Sequence, residues 1–307
     1  MRIAVESTVL LQKHNKKRLE KIGEVIVYKL GCNKEDFFEA VKDCKIIIAN
    51  KWFYNDLLPK LKVKLISLWS TGVDLIDIKK CRELGITVAN VPSYSTNSVA
   101  EQTIALMMEL AKKICWLNKQ LLEGKWAYDL PLMTELKGKV LGIIGFGNIG
   151  GKVAEIAKAL EMEILLYTRT SRQDDFPDYK FAGLDELLAS SDFVTIHAPL
   201  NNETRHLINK NNLKLMKKTA FIINCARGTI INQQDLIDAL KKGLIAGAGL
   251  EVFEKEPLPM DSELRKLDNV IMTPHNAFYT KEAVERLTGV CINNIFNYLA
   301  GKPSNIM

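Results

Sequence analysis

Short apolar runs alternate with stretches of helical period twice along this chain. The runs at 3–5, 25–28, 46–49, 65–69 and 87–89 are nearly continuous in apolar residues, with helical patterns between them, as at 35–41 and 75–84. Strands without polar alternation, separated by helices, indicate a parallel sheet covered on both faces. Val99, Thr103, Leu106, Leu110, Ile114, Leu117 and Leu121 then recur at spacings of three and four. This period predicts one helix over 97–121, about 35 Å long at 1.5 Å per residue. The alternation restarts with runs at 140–144, 164–167, 193–197, 220–223, 246–250 and 270–272. Val284, Leu287, Cys291, Ile295 and Leu299 close the chain on one helix face. The expected class is therefore α/β, with two doubly wound parallel-sheet domains. The first is expected to comprise 1–96 plus 278–307, its final helix returning to it, and the second 97–277.

Composition changes this picture little. At 307 residues, 47% hydrophobic and 25% charged, the chain has the balance of an ordinary globular protein of two domains. Its net charge of +6 comes from scattered lysine pairs such as Lys16-Lys17 and Lys241-Lys242, without a basic stripe interleaved with aromatics. Nucleic-acid binding is therefore not expected. The six cysteines have no C-x-x-C spacing, so free thiols are expected, with neither disulfides nor a metal site. Met1-Arg-Ile-Ala-Val5 reads as a strand, not a secretory signal, and no apolar run has bilayer length. A cytoplasmic location follows as the expectation.

The run at 140–144 leads into Gly145-Phe-Gly147-Asn148-Ile149-Gly150, and Val153, Ile156, Ala157 and Leu160 continue at helical period. Strand, glycine loop and helix in this order form a dinucleotide-binding fingerprint. Gly145 permits the tight turn, Gly147 admits the pyrophosphate, and Gly150 allows helix and strand to pack closely. The helix N-terminus presents unpaired N–H groups to the phosphates. Where the next strand ends, an acid would accept from the ribose 2′-hydroxyl of NAD. This chain instead carries Thr168, Arg169, Thr170, Ser171 and Arg172, with its nearest acids at Asp174 and Asp175. Guanidinium groups and hydroxyls suit a 2′-phosphate, so NADP(H) is expected to be preferred, with NAD(H) possible.

Three further residues suggest a reaction. Reduction of a 2-oxo acid needs a cation for the carboxylate and ketone, an acid to protonate the developing alkoxide, and a partner for that acid. Arg227 follows the run at 220–223, and His275 follows the run at 270–272, both at carboxyl ends of expected strands. Ligands of open α/β sheets bind there. Glu256 lies in the acidic loop between them, and a carboxylate beside an imidazole favours its charged form.

At these residues the chain resembles the D-isomer-specific 2-hydroxyacid dehydrogenases. The likeness extends through Ser70-Thr-Gly72-Val-Asp74, Asn90-Val-Pro92, Val99-Ala-Glu101, Leu136-Lys-Gly138, His197-Ala-Pro199-Leu200, Asn224-Cys-Ala-Arg227-Gly228, Glu256-Pro257 and Pro274-His275-Asn-Ala277. The resemblance implies that Arg227 binds the substrate carboxylate and carbonyl, that His275 is the general acid/base, and that Glu256 is its partner. It implies carboxylate binding by backbone amides of Gly72 and Val73, and an active site in a cleft between the domains. His197, Pro199 and Thr204 would line the adenine side, with Cys225, Ala226 and Glu251 near the nicotinamide and its ribose. It also implies a homodimer, and a flavodoxin-like substrate domain beside a Rossmann dinucleotide-binding domain.

Two departures bear on substrate and cofactor. Glu251 stands where the family usually has Asp, and the strand-end acid is missing, as in NADPH-using glyoxylate and hydroxypyruvate reductases. Ala277-Phe-Tyr279-Thr280 looks instead like the D-lactate dehydrogenase branch. Trp52, Phe53, Phe278 and Tyr279 could wall the substrate pocket or serve as ordinary core aromatics. The expected function is NADP(H)-dependent reduction of a small 2-oxo acid such as glyoxylate or hydroxypyruvate. The alternatives are an NAD-dependent D-lactate or phosphoglycerate-type dehydrogenase and a dinucleotide-responsive interaction protein like the C-terminal-binding corepressors.

Overall fold

The computed structural model describes the whole chain except residues 8–10, 50–52, 75, 127–131 and 170–173. It divides into two compact units, Met1–Ser95 with Tyr279–Met307, and Thr96–Phe278.

In the first unit β1 (Arg2–Ser7), β2 (Glu24–Lys29), β3 (Ile46–Ala49), β4 (Leu65–Leu68) and β5 (Thr87–Ala89) form one sheet in the order β2-β1-β3-β4-β5. Every pairing is parallel, and the order is the flavodoxin-like one. The central strands β3 and β4 are buried at every position, whereas the edge strand β2 leaves Val27 exposed. Helices α1 (Lys13–Glu20), α2 (Lys34–Val41) and α3 (Ile78–Glu83) lie between the strands in sequence.

The second unit opens with α4 (Thr96–Lys112) and α5 (Ile114–Leu122). Its sheet contains β6 (Val140–Ile144), β7 (Glu163–Tyr167), β8 (Lys180–Phe181), β9 (Phe193–Ile196), β10 (Phe221–Asn224), β11 (Gly247–Leu250) and β12 (Val270–Met272). The strands run parallel in the order β12-β11-β10-β9-β6-β7-β8. This contains the Rossmann order, and its direction of winding reverses between β6 and β9, which is where such sheets bind ligands. Helices α6 (Asn148–Ala159), α7 (Leu184–Ser190), α8 (Lys210–Leu213) and α9 (Gln233–Lys241) complete the unit. Small residues let α4 approach the sheet. A Cβ built on Gly249 of β11 would lie 3.2 Å from Leu106 and 3.3 Å from Leu110.

The final helix α10 (Lys281–Leu299) belongs to the first unit and buries Leu287, Cys291, Ile292 and Ile295. Ser67 of β4 donates to the Cys291 carbonyl at 3.1 Å, and Asn15 of α1 donates to the Thr288 hydroxyl at 3.1 Å.

The single helix expected over 97–121 is in fact two. Lys113 adopts a left-handed conformation (φ 52°, ψ 37°) and ends α4. The Glu109 carboxylate then accepts from the Cys115 N–H at 3.0 and 3.1 Å, supplying the cap that Lys113 cannot. Apolar spacing continues across this break but loses its meaning, because α5 buries none of its residues. β8 was not expected, since two residues show no periodicity.

Candidate active site

β6 ends at Ile144, and Gly145 turns the chain with φ +94°. A Cβ at Gly145 would lie 2.6 Å from the Ala198 nitrogen and 2.8 Å from the His197 carbonyl carbon, so any larger residue would push the loop off the end of β9. A Cβ at Gly150 would lie 2.2 Å from the Gly145 oxygen. A Cβ built on Gly147 would meet no neighbouring atom within 4 Å among the described residues, so space on its open side is not filled by the fold. Gly147 caps α6 without a side-chain hydrogen bond, and the first turn carries no acidic residue. Asn148, Ile149 and the following backbone therefore offer the N–H groups and the positive end of the helix dipole to an anion.

The neighbouring segment after β9 brings His197, Pro199 and Thr204 into one loop. Both ring nitrogens of His197 are buried and have no hydrogen-bond partner among the described residues. Burial pushes this imidazole down to about 3 from an ordinary 6.5, so it is neutral. A buried polar group without a partner is costly, and such an orphan beside an open glycine loop fits a site built for a polar ligand. The Thr204 hydroxyl donates to the Pro199 carbonyl at 2.6 Å and accepts from the Asn201 N–H at 2.8 Å. The segment after β7 carries a pairing that the sequence does not show. Arg169 is paired with Glu203, Nη1 to Oε2 at 2.6 Å, so its guanidinium already has an anion. Thr168 precedes this arginine, and Thr170, Ser171 and Arg172 lie outside the described residues.

On the other side of β9, β10 delivers Arg227. The buried Asn224 side chain shapes the turn: its amide donates to the Arg227 carbonyl at 3.0 Å, and its oxygen accepts from the Ala226 N–H at 3.0 Å. Arg227 is half-buried, and its Nη1 donates to the Ala226 carbonyl at 2.8 Å. Cys225 is buried, and burial pushes its thiol up to about 12, so it stays protonated. A Cβ at Gly228 would lie 1.9 Å from the Phe253 carbonyl carbon, which means the Arg227 turn touches the loop carrying Glu256. Within that loop Glu256 accepts from the Phe253 N–H at 3.0 Å through Oε1. Its Oε2 meets His275 Nδ1 at 2.6 Å. The imidazole and carboxylate are thus in direct contact, and the arginine's backbone is packed against their supporting loop. Because Nδ1 faces Glu256, the other ring nitrogen is the one that can meet a substrate.

His275 has a left-handed backbone (φ 51°), an uncommon conformation for a residue with a side chain. Glu251, fully buried at the end of β11, holds it there. The Glu251 carbonyl accepts from the His275 N–H at 2.9 Å. Its carboxylate accepts from the Ala277 N–H at 2.5 Å and, through the other oxygen, from the Thr273 hydroxyl. From α4, Ser98 donates to the Ala277 carbonyl and Gln102 donates to the Thr273 hydroxyl at 3.2 Å. Both oxygens of Glu251 thus grip the flanks of His275, a role that the sequence does not announce. Asn224, Thr273, Ser98 and Gln102 were missed as site-shaping residues; only the spacing of Asn224 from Arg227 carried a local signal.

In the first unit Gly72 and Val73 lie in the turn after β4, where the Ser70 hydroxyl donates to the Gly72 carbonyl at 2.6 Å. Phe53 packs edge-on against Phe37, ring centroids 5.3 Å apart, in that unit's core. It is therefore a core aromatic; Trp52 lies outside the described residues.

Comparison with known proteins agrees with this geometry. The model of the D-isomer specific 2-hydroxyacid dehydrogenase NAD binding domain matches residues 104–277. A hydroxypyruvate reductase of Blautia hydrogenotrophica is 37% identical over 95% of this chain and 94% of its own length. A glyoxylate reductase of Thermofilum pendens is 42% identical over 80% of this chain and 74% of its own. Among solved structures, an acyclic imino acid reductase in complex with NADPH and D-Arg matches with a TM-score of 0.93, at 30% identity over 100% of both chains.

Buried neutral His197 makes a testable contribution to acid stability. Between pH 6.5 and about 3 the unfolded chain carries a proton on this group that the folded chain does not. Stability is therefore lost as pH falls through that window, by roughly 1–2 kcal/mol at pH 5 for this group alone. Urea unfolding of His197→Asn should show a smaller drop in stability from pH 7 to pH 5 than the unsubstituted protein. An equal drop in both would contradict the assignment.

Proposed function

The chain belongs to the D-isomer specific 2-hydroxyacid dehydrogenase family, and on that premise we propose that it reduces a small 2-oxo acid, glyoxylate or hydroxypyruvate, with NADP(H) preferred over NAD(H). The observation that carries this reading is the 2.6 Å contact between His275 and Glu256, on a loop packed against the Arg227 turn. When bound, the reduced nicotinamide supplies a hydride to the carbonyl carbon. Arg227 pairs with the substrate carboxylate and polarises the carbonyl. His275 donates a proton from Nε2 to the developing alkoxide oxygen, which completes the 2-hydroxy acid. Glu256 fixes the orientation of the imidazole through Nδ1 and balances its charge. The first turn of α6 and Gly147 hold the pyrophosphate, and His197 faces the adenine end. In oxidation of a 2-hydroxy acid each proton step runs in reverse.

Substrate choice rests on the named activities of the two curated relatives. Preference for NADP(H) rests on Arg169 and Arg172 in place of a strand-end acid, and a solved structural neighbour holds NADPH. Unpaired cysteines, six of six, support the reducing cytoplasm as its location. Among the described residues no helix is long and apolar enough to cross a membrane.

We further assign a homodimer. Leu122 is 80% exposed, Trp126 71% and Leu132 96%, beside an α5 that buries nothing. Large apolar side chains this exposed call for cover, and a second copy of the chain is the partner most often found. Light scattering should give twice the chain mass for the unsubstituted protein and the single mass for Leu122→Glu. A monomeric unsubstituted protein would remove the assignment.

Nicotinamide absorbance assays over glyoxylate, hydroxypyruvate and pyruvate should give turnover, with the higher kcat/KM for NADPH. Arg227→Ala should lose at least about 100-fold in kcat/KM with an unchanged circular dichroism spectrum, and Arg227→Lys should restore little of it. Tight cofactor binding without turnover on any 2-oxo acid would overturn the reductase reading. A clear preference for NADH would overturn the cofactor reading.

A further inference from the structure

Arg169 follows β7 and Glu203 lies in the loop after β9, and these two strands flank β6. Their 2.6 Å ion pair therefore joins the segments on either side of the strand from which the glycine loop emerges. The position of Glu203 is set by its own turn. The Asn201 side chain accepts from the N–H groups of Glu203 and Thr204 at 2.9 and 3.0 Å. The Thr204 hydroxyl closes the loop onto Pro199 at 2.6 Å. The carboxylate is thus presented to Arg169 by a built turn rather than by a free-swinging chain.

We propose that Glu203 is a selectivity residue for the cofactor, acting on the 2′-phosphate through Arg169. The inference rests on the NADP(H) reading of that arginine. A 2′-phosphate must take the guanidinium from Glu203, and it brings about two negative charges close to a third. A cofactor with a free 2′-hydroxyl asks for neither change, so the pair can persist beside it. Glu203 thereby lowers affinity for NADP(H) without lowering it for NAD(H), and it keeps both cofactors usable. Both side chains are well exposed, at 72% and 61%, so the pair is weak and readily displaced. Its effect is a bias, not a block.

The substitution Glu203→Gln keeps the size and hydrogen-bonding reach of the side chain and removes its charge. Calorimetric titration with 2′,5′-ADP and with 5′-ADP reads the effect without turnover. Glu203→Gln should bind 2′,5′-ADP about three- to tenfold more tightly and 5′-ADP within about twofold of the unsubstituted protein. The gain should shrink at high salt, and it should largely vanish when Arg169→Ala is present as well. The ratio of kcat/KM for NADPH over NADH should rise by a similar factor. Unchanged 2′,5′-ADP affinity, or equal tightening of both ligands, would overturn the proposal. So would weaker 5′-ADP binding without a gain for 2′,5′-ADP, which would make Glu203 a partner of the ribose hydroxyl. A gain that persists in full without Arg169 would also overturn it, since Glu203 would then act on the phosphate directly. Should the unsubstituted enzyme prefer NADH, the NADP(H) reading fails, yet the selective gain for 2′,5′-ADP would still identify Glu203 as the biasing residue. If NADPH is preferred and Glu203→Gln changes nothing, this inference fails alone.

Discussion

The backbone of His275 is held where it would not rest by itself. A left-handed residue with a Cβ costs on the order of 1–3 kcal/mol unless its surroundings enforce it. Here the enforcement comes largely from one side chain, Glu251, which binds Thr273 on one flank of the histidine and Ala277 on the other. Burying a carboxylate is expensive unless its oxygens are satisfied, and both of these have donors. Ser98 and Gln102 of α4 grip the same two flanks. The imidazole that results meets Glu256 at 2.6 Å, while Asn224 and Gly228 fit the Arg227 turn against the same loop. The clamp thus fixes the imidazole that Glu256 meets, and the Arg227 turn packs against the loop that carries Glu256.

The two sides of β9 treat buried polarity in opposite ways. The buried Glu251 has a donor at each carboxyl oxygen, which makes its surroundings rigid. His197 is neutral and its ring nitrogens lack partners among the described residues. The first arrangement suits a structural clamp, and the second suits a surface that a polar ligand completes. His197 follows β9 itself and so adjoins the reversal of winding between β9 and β6, where the open α/β sheet leaves room for a ligand.

Much of this was legible in the sequence, for a physical reason. Strands buried on both faces are nearly continuous in apolar residues, so β3, β4, β6 and β9 announce themselves. The glycine loop is equally plain because Gly145 and Gly150 are forced by atoms 2.6 and 2.2 Å away from any Cβ. Periodicity failed at Lys113, since spacing records which side of a helix is apolar but not whether the axis continues. It failed again over 114–121, where apolar residues do not enter the chain's own core. Pairings distant in sequence were beyond reach. Nothing local links Arg169 to Glu203, or the Glu251 carboxylate to the flanks of His275.

The joint action of Glu256 and His275 is tested most directly by a double-mutant cycle on kcat/KM, using Glu256→Gln, His275→Gln and the pair together. If the two side chains act as one unit, the double variant should be no slower than His275→Gln alone, within about twofold. Losses that multiply would mean that the carboxylate and the imidazole work independently, and would contradict the account.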